Sequence, residues 1–515
     1  MRLALAAPHT AALDAAAQVV RQGGTVVDAA VAGAASLAVV APHLNSAGGD
    51  VIALIRSPDG VTTCLNASGA YGSGGTAKRL LDEGGTMPTY GPATVSVPGA
   101  VSGWQALLDT GGSLPLGDVL APAIRQATEG VPISPGLGSS LQRSAERLFA
   151  DPGFRSVFAP DGQPLRTGEV LRQPALAATL EELASNGLNT LYAGRLAQRL
   201  AAGLHRLGVP VTAADLAAHR VEVCEPLVGA HRGARVLTAP PNSQGYLLLA
   251  ILAALDLDEE SEPDAALLAE VFAGADALRD AELADPRSMT VSPGSLVSRV
   301  RAQGLLDKAR ERLASGRAQL RSGPVPDGDT VALTAVGDDG TAVSLIQSNF
   351  HGFGAGLLEP DTGLSMHNRG CFFSLTTGHP NILAPGRRPA HTLMPVLVEH
   401  ADGSIAAHGT MGGRQQPQIH THLMQSTLQG ATPQQAVSAP RFVVGSRDSS
   451  SVTDRVLAEP EVDARVIEQL GRCSLPVQVA GDRNTVGHAM ISRLCADGSL
   501  EAGADPRADG GVLLS

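Results

Sequence analysis

The apolar positions near the start of the chain recur with a helical period. "HTAALDAAAQVVRQGGTVVDAAVAGAASLAVV" (9–40) predicts two helices, with Gly23-Gly24 as the break between them. The second is apolar on nearly every side and carries Asp28, which marks a buried helix rather than a membrane span. The period then shortens to two. "VIALIRSPDGVTTCLNAS" (51–68) predicts a hairpin turned at Pro58-Asp59-Gly60. Helical spacing returns in "LGDVLAPAIRQATEGV" and "LYAGRLAQRLAAGLHRLG", and "ARVLTAPPNSQGYLLLAILAAL" predicts a strand, a Pro/Gly loop and a helix. Residues 258–328 are polar, helical and then irregular, and they close in "RSGPVPDGD", a linker or exposed loop. From Thr330 onward strands dominate. Helices and strands mixed in this way predict an α/β or α+β layered fold.

The sharpest chemical signal lies where that loop ends. "GDTVALTAVGDDGTAVSLIQS" (328–348) is a hairpin whose first strand opens on Thr330. A four-residue loop over 337–340 sets Thr330 opposite Gln347, and a two-residue Asp339-Gly340 loop sets it opposite Asn349. In either register Gln347, Ser348 and Asn349 lie beside it. A threonine at a strand start is ordinarily structural, because its β-branch suits a pleated surface. A polar trio facing it admits a second reading, nucleophilic catalysis. A threonine hydroxyl needs an adjacent base. Cleavage between Asp329 and Thr330 would supply one, since a free α-amino group has a pKa near ~8 against ~10.4 for lysine. Ser348 could orient that amine.

Composition narrows the classes. The chain has 515 residues, 43% of them hydrophobic but only 3% aromatic, so its core must pack small side chains closely. A net charge of −12 argues against nucleic acid or an anionic membrane as partner. The cysteines (Cys64, Cys224, Cys371, Cys473, Cys495) are odd in number and never in a CxxC spacing. That suits a reducing compartment and gives neither a disulfide framework nor a zinc site. The amino-terminal apolar run breaks at Pro8-His9, unlike a secretory signal, and a soluble cytoplasmic protein is expected. His420 and His422 stand two apart on a predicted helix, on different faces, so they do not share a metal. No metal or organic cofactor is required.

The hairpin resembles the catalytic hairpin of the γ-glutamyltransferase family, and the surrounding motifs follow in that family's order over nearly the whole chain. "GGTVVDAAVAGAASLAVVAPHLNSAGGD", "VSVPGAVSGW", "APPNSQGYLLLAIL", "FGAGLLEPDTGLSMHNR", "LAPGRRPAHTLMP" and "HGTMGGRQQPQ" carry the resemblance. It implies an α+β fold, the four-layer αββα sandwich of N-terminal nucleophile hydrolases. It also implies a precursor that cuts itself into a large chain, 1–329, and a small chain, 330–515, which stay together as a heterodimer that can pair again. Thr330 would be the nucleophile and Ser348 its hydroxyl partner. Gly412 and Gly413 would supply the oxyanion hole through backbone N–H groups. The substrate would be a γ-glutamyl or related small amide such as glutathione, with water or an amine as acyl acceptor.

Substrate recognition departs from the family pattern. Ser68 falls where typical members place an arginine for the glutamyl α-carboxylate. "MHNRGCFF" puts Arg369 at a glutamine position and Phe372 at the aspartate that holds the α-amino group. His391 and Thr392 replace paired serines. A glutamyl ammonium against Phe372 would lack its partner, so weak γ-glutamyl recognition is expected. Arg369 could instead clamp a carboxylate, and His391 could donate to one. The chain between Phe373 and Arg387 is short, which resembles the lidless branch and predicts an open site. Glutathione-type, oxamate-type and cephalosporin-acylase-type amide hydrolysis remain as enzyme readings, beside an uncleaved binding protein.

Overall fold

A computed structural model describes residues 1–83, 85–258, 263–316, 329–445, 455–481 and 486–515. The expected linker at 321–328 lies outside them. The main strands, in chain order, are β1 (Leu3–Ala7), β2 (Asp50–Arg56), β3 (Thr62–Asn66), β4 (Glu222–Cys224), β5 (Leu227–His231), β6 (Ala234–Thr238), β7 (Asp329–Gly337), β8 (Ala342–Phe350), β9 (Val396–Glu399), β10 (Ile405–Met411), β11 (His488–Leu494), β12 (Leu500–Ala504) and β13 (Gly511–Leu514). They form a seven-stranded sheet in the order β13-β1-β7-β8-β2-β3-β4 and a six-stranded sheet in the order β12-β11-β10-β9-β6-β5.

Helices α1 (Thr10–Arg21), α2 (Val26–Val40), α3 (Ala100–Gly111) and α4 (Leu116–Glu129) belong to the layer on the first sheet, and α5 (Gly245–Asp256), α6 (Ala265–Glu282), α7 (Arg299–Ser315) and α8 (Gln416–Leu428) to the layer on the second. The two sheets pack face to face, which completes the αββα sandwich. The predicted break between α1 and α2 and the hairpin of β2 and β3 are present as read. Asp28, inside the apolar run, is buried because it caps α2: it accepts from Thr25 N–H at 2.9 Å and from Ser113 N–H at 3.0 Å. Alanine accounts for much of α2, and every residue of that helix is buried.

Strand alternation decides what faces what. Along β7 and β8, Val331, Leu333, Ala335, Val343 and Leu345 join the core under the first helical layer. Ala332, Val336, Ala342 and Ile346 point the other way, into the core between the sheets with Leu237, Leu397 and Met490. Thr330 and Ser348 have the parity of this second set, so they face the opposing sheet.

Candidate active site

The hairpin loop has three residues, Asp338, Asp339 and Gly340, between Val336–Gly337 and Thr341–Ala342, and both registers expected from sequence are therefore off by one. Gly337 N–H donates to Thr341 O at 2.8 Å, and Gly340 sits at φ +84, a left-handed position that glycine occupies without strain. Gln347 consequently pairs with Val331, while Asp329 pairs with Phe350. The shift between these pairs is a β-bulge in which Ser348 and Asn349 together oppose Thr330.

Only one member of the polar trio reaches Thr330. Gln347 turns into the helical layer, where it accepts from Trp104 Nε1 at 2.8 Å. Asn349 accepts from Ser46 Oγ at 2.7 Å. Ser348 Oγ lies 3.1 Å from Thr330 Oγ1, 2.6 Å from Asp329 O and 2.8 Å from Phe350 N. A serine has one proton to give and two lone pairs. Asp329 O, which can only accept, takes the proton. Ser348 Oγ then accepts from Phe350 N–H and from the Thr330 hydroxyl. Thr330 O–H, Ser348 O–H and the Asp329 carbonyl thus form a directed chain at the bond before Thr330.

Phe350 continues the site. Its φ of +77 is unusual for an aromatic residue and turns its ring beneath Arg369, whose guanidinium carbon stands 3.7 Å from the ring centroid. Phe372 meets the same ring edge-on at 5.5 Å. Arg369 is 1% exposed, and its Nη2 donates to Thr392 Oγ1 at 3.1 Å. Among the described residues, Nε and Nη1 have no hydrogen-bond partner. Burial lowers its pKa from the ordinary value to about 10, against the pull of Asp50, so it is charged at neutral pH. A charged, buried guanidinium with two unused donor groups is prepared for an anion.

Asp50 is the hub that sequence reasoning missed, although "GGD" lay inside a quoted motif. It is 1% exposed and accepts from His391 Nε2 at 3.1 Å, with His367 Nδ1 at 3.5 Å. Burial pushes its carboxyl up, but His367, His391 and Arg369 together outweigh this and hold it at about 2. His391 Nδ1 accepts from Leu393 N–H at 3.2 Å, so its proton is on Nε2, facing Asp50. Burial lowers His391 to about 3. Both ring nitrogens are engaged, which leaves His391 orienting Asp50 rather than meeting a substrate. Ser68 is likewise committed: it donates to Asn66 Oδ1 at 2.7 Å and accepts from Asn242 Nδ2 at 3.2 Å.

The opposing sheet brings Gly412 and Gly413. Gly409 of β10 lies over β7, so close that a Cβ there would sit 2.9 Å from Ala332 Cβ. Ser344 Oγ, beside Thr334 on β8, donates to His408 O at 2.7 Å. Following β10 forward therefore follows β7 backward, and Gly412-Gly413 arrive at the end where Thr330 begins. Gly413 has φ +52, and a Cβ on Gly412 would meet Ile419 Cδ1 at 2.6 Å. Gln244 Nε2 ties the turn to the Arg369 side: it donates to Gly413 O at 2.8 Å and to Thr392 O at 2.9 Å.

Thr330 and Ser348, like Arg369, are each 1% exposed. A cavity of about 240 Å³ adjoins the site, bordered by Arg279, Asp280, Cys371, Phe372, His379 and Arg414.

The family profile described as gamma-glutamyltranspeptidase matches residues 12–515. The oxamate amidohydrolase proenzyme of Klebsiella pneumoniae is 38% identical over 98% of this chain and 97% of its own length. The glutathione hydrolase-like YwrD proenzyme of Bacillus subtilis is 35% identical over 98% and 97%. Among solved structures, a cephalosporin acylase from Bacillus halodurans superposes with a TM-score of 0.89 at 33% identity, covering 99% of this chain and 95% of that one. Neighbours of this kind share the N-terminal nucleophile hydrolase fold, and the named relatives are hydrolases or acylases. The chain belongs to the gamma-glutamyltranspeptidase family and is an amidohydrolase of that family, close to its oxamate amidohydrolase and cephalosporin acylase branch.

Proposed function

We propose that the chain cuts itself before Thr330 and then hydrolyses small amides whose acyl group carries a carboxylate beside the scissile carbonyl, oxamate being the simplest. The buried guanidinium of Arg369, whose Nε and Nη1 have no hydrogen-bond partner among the described residues, carries this reading. It rests on Phe350, whose N–H is bonded to Ser348 Oγ and whose backbone pairs with Asp329, so the charge lies one side chain from the nucleophile. A carboxylate attached directly to the reacting carbon suits that short reach. The α-ammonium of a γ-glutamyl group would meet Arg369 and Phe372, a like charge and an apolar ring.

Self-processing uses the hydroxyl chain. Thr330 Oγ1 attacks the Asp329 carbonyl carbon. Its proton passes to Ser348 Oγ as Ser348 gives its own to the carbonyl oxygen. Collapse breaks the C–N bond, the proton on the carbonyl oxygen passes to the departing Thr330 nitrogen, an ester is left on Thr330 Oγ1, and water then releases the Asp329 carboxylate. The freed Thr330 amine next serves as base. It takes the hydroxyl proton while Oγ1 attacks the substrate carbonyl, Gly412 and Gly413 N–H groups meet the oxyanion, and the leaving amine departs with the proton. Water activated by the same amine hydrolyses the acyl-threonine ester. Thr392 orients Arg369, and His391 and Ser68 hold the surroundings of Asp50 and Asn242.

A longer acyl carboxylate, as in a glutaryl amide, is the second reading, favoured by the cavity beside Phe372. Turnover of oxamate, a glutaryl amide and glutathione by the processed protein separates the cases. Oxamate turnover with little on glutathione is expected, and preferred turnover of glutathione would refute the role given to Arg369.

A further inference from the structure

The fold brings together two cysteines that lie far apart in sequence. Cys64 on β3 and Cys224 on β4 are direct partners in the antiparallel register. Residues so paired have Cα atoms roughly 4.5–5.5 Å apart, inside the window a disulfide requires. Cys224 Sγ lies 3.8 Å from Cys64 O, and each thiol contacts the other. The two differ in access. Cys64 is fully buried in the core between the sheets, whereas Cys224 is half-buried on β4, the last strand of its sheet. The active site uses neither.

Both are free thiols in this structure. Cys64, donating its S–H to the Cys224 sulfur, lowers the Cys224 pKa and raises its own. The accessible sulfur is thus the more nucleophilic in practice, with a resolving thiol directly behind it.

We propose that Cys64 and Cys224 are a site of reversible oxidation, forming an intramolecular disulfide when the protein meets a hydroperoxide. The Cys224 thiolate attacks the outer peroxide oxygen, the O–O bond breaks, and the departing alkoxide is protonated to an alcohol, leaving a sulfenic acid. The Cys64 sulfur then attacks the Cys224 sulfur as its proton passes to the departing oxygen, the S–O bond breaks, and water leaves. Two thiols and one hydroperoxide give one disulfide, one alcohol and one water. The bridge pins the edge strand. Its ladder neighbours are Glu222 and Asn66; Glu222 is ion-paired with Arg388, whose Nε donates to Ser68 O at 2.7 Å.

The test is a thiol count and peptide map of the purified protein before and after hydrogen peroxide, then after dithiothreitol. The expected result is loss of two of the five thiols, a single cross-linked peptide pair joining 64 to 224, a mass lower by two hydrogens, and full reversal. Both residues precede 329, so in a cut protein only the large fragment changes mass. Cys64→Ser should leave Cys224 as a sulfenic acid that a cyclic 1,3-dione traps, and Cys224→Ser should leave Cys64 unreacted. Five thiols surviving peroxide in the wild-type protein, or oxidation mapped to Cys371, Cys473 or Cys495 instead, would overturn the proposal. The wild-type map decides the matter even if a buried substitution disturbs folding.

Discussion

Replacing Arg369 by methionine separates binding from stability. The guanidinium is 1% exposed, and burial takes its pKa down from the ordinary arginine value to about 10. At 1.36 kcal/mol for each tenfold, holding the charge in place costs roughly 3 kcal/mol, which a bound carboxylate offsets. Methionine has similar length and leaves an apolar contact with Phe350 and Phe372. Truncating one partner of a buried, hydrogen-bonded charge pair loses about 2–5 kcal/mol, so kcat/KM for oxamate should fall roughly 30- to 5000-fold. Oxamide, which lacks the carboxylate, should lose little. The melting temperature should hold or rise, because the substitution removes a desolvated charge. Steady-state kinetics on both amides and a thermal melt check the three outcomes together. Oxamate turnover within about threefold of wild type, or equal losses on oxamate and oxamide, would refute the carboxylate clamp.

Thr330→Ala should give one uncut chain by intact mass, whereas wild type should give two fragments, the smaller beginning at Thr330. Ser348→Ala removes the Ser348 donor from the Asp329 carbonyl, worth about 1–3 kcal/mol, so the rate of chain cleavage followed by gel should fall roughly 5- to 150-fold. Burial holds His43, His351, His391 and His420 neutral, each with a pKa lowered to about 3. Below their ordinary pKa of 6.5 the unfolded chain binds protons that the folded chain refuses. The stability present above pH ~6.5 is therefore lost as the pH falls towards 3, by up to roughly 5 kcal/mol per pH unit for four such groups. Urea melts from pH 7 down to 4 should show this steep decline; a flat profile to pH 4.5 would contradict it.

The layering of helices and strands was legible wherever a period ran long enough, and the αββα sandwich followed from the family resemblance. The two helices around Gly23-Gly24 and the hairpin at Pro58-Asp59-Gly60 were plain, because caps and turns there are local chemistry. The register of the key hairpin was not. "GDDG" is compatible with loops of two, three or four residues, and the bulge at Ser348-Asn349 depends on Phe350 adopting φ +77, which no local rule favours. Thr330 and Ser348 were found as a pair, while Gln347 and Asn349 were misread because alternation sends them into the helical layer. His391 was read as a free donor, since its Asp50 partner lies 341 residues away. The same distance hid Asp50, and Cys64 facing Cys224 was hidden likewise.

The order of strands bears on how the two proposed chains hold together. β1 from the amino-terminal part lies between β13 and β7 from the carboxyl-terminal part, and β8 is hydrogen-bonded to β2. In the other sheet β9 pairs with β6. The division at 329 thus runs through both sheets like interlaced fingers rather than between lobes. A nick there breaks one covalent bond and at most releases the Asp329–Phe350 pair at the start of β7, so the fragments should dissociate only on global unfolding. Neither fragment alone owns a complete sheet. Produced separately, each would expose long unpaired edges and should aggregate instead of folding, which makes synthesis as a single chain a requirement of assembly.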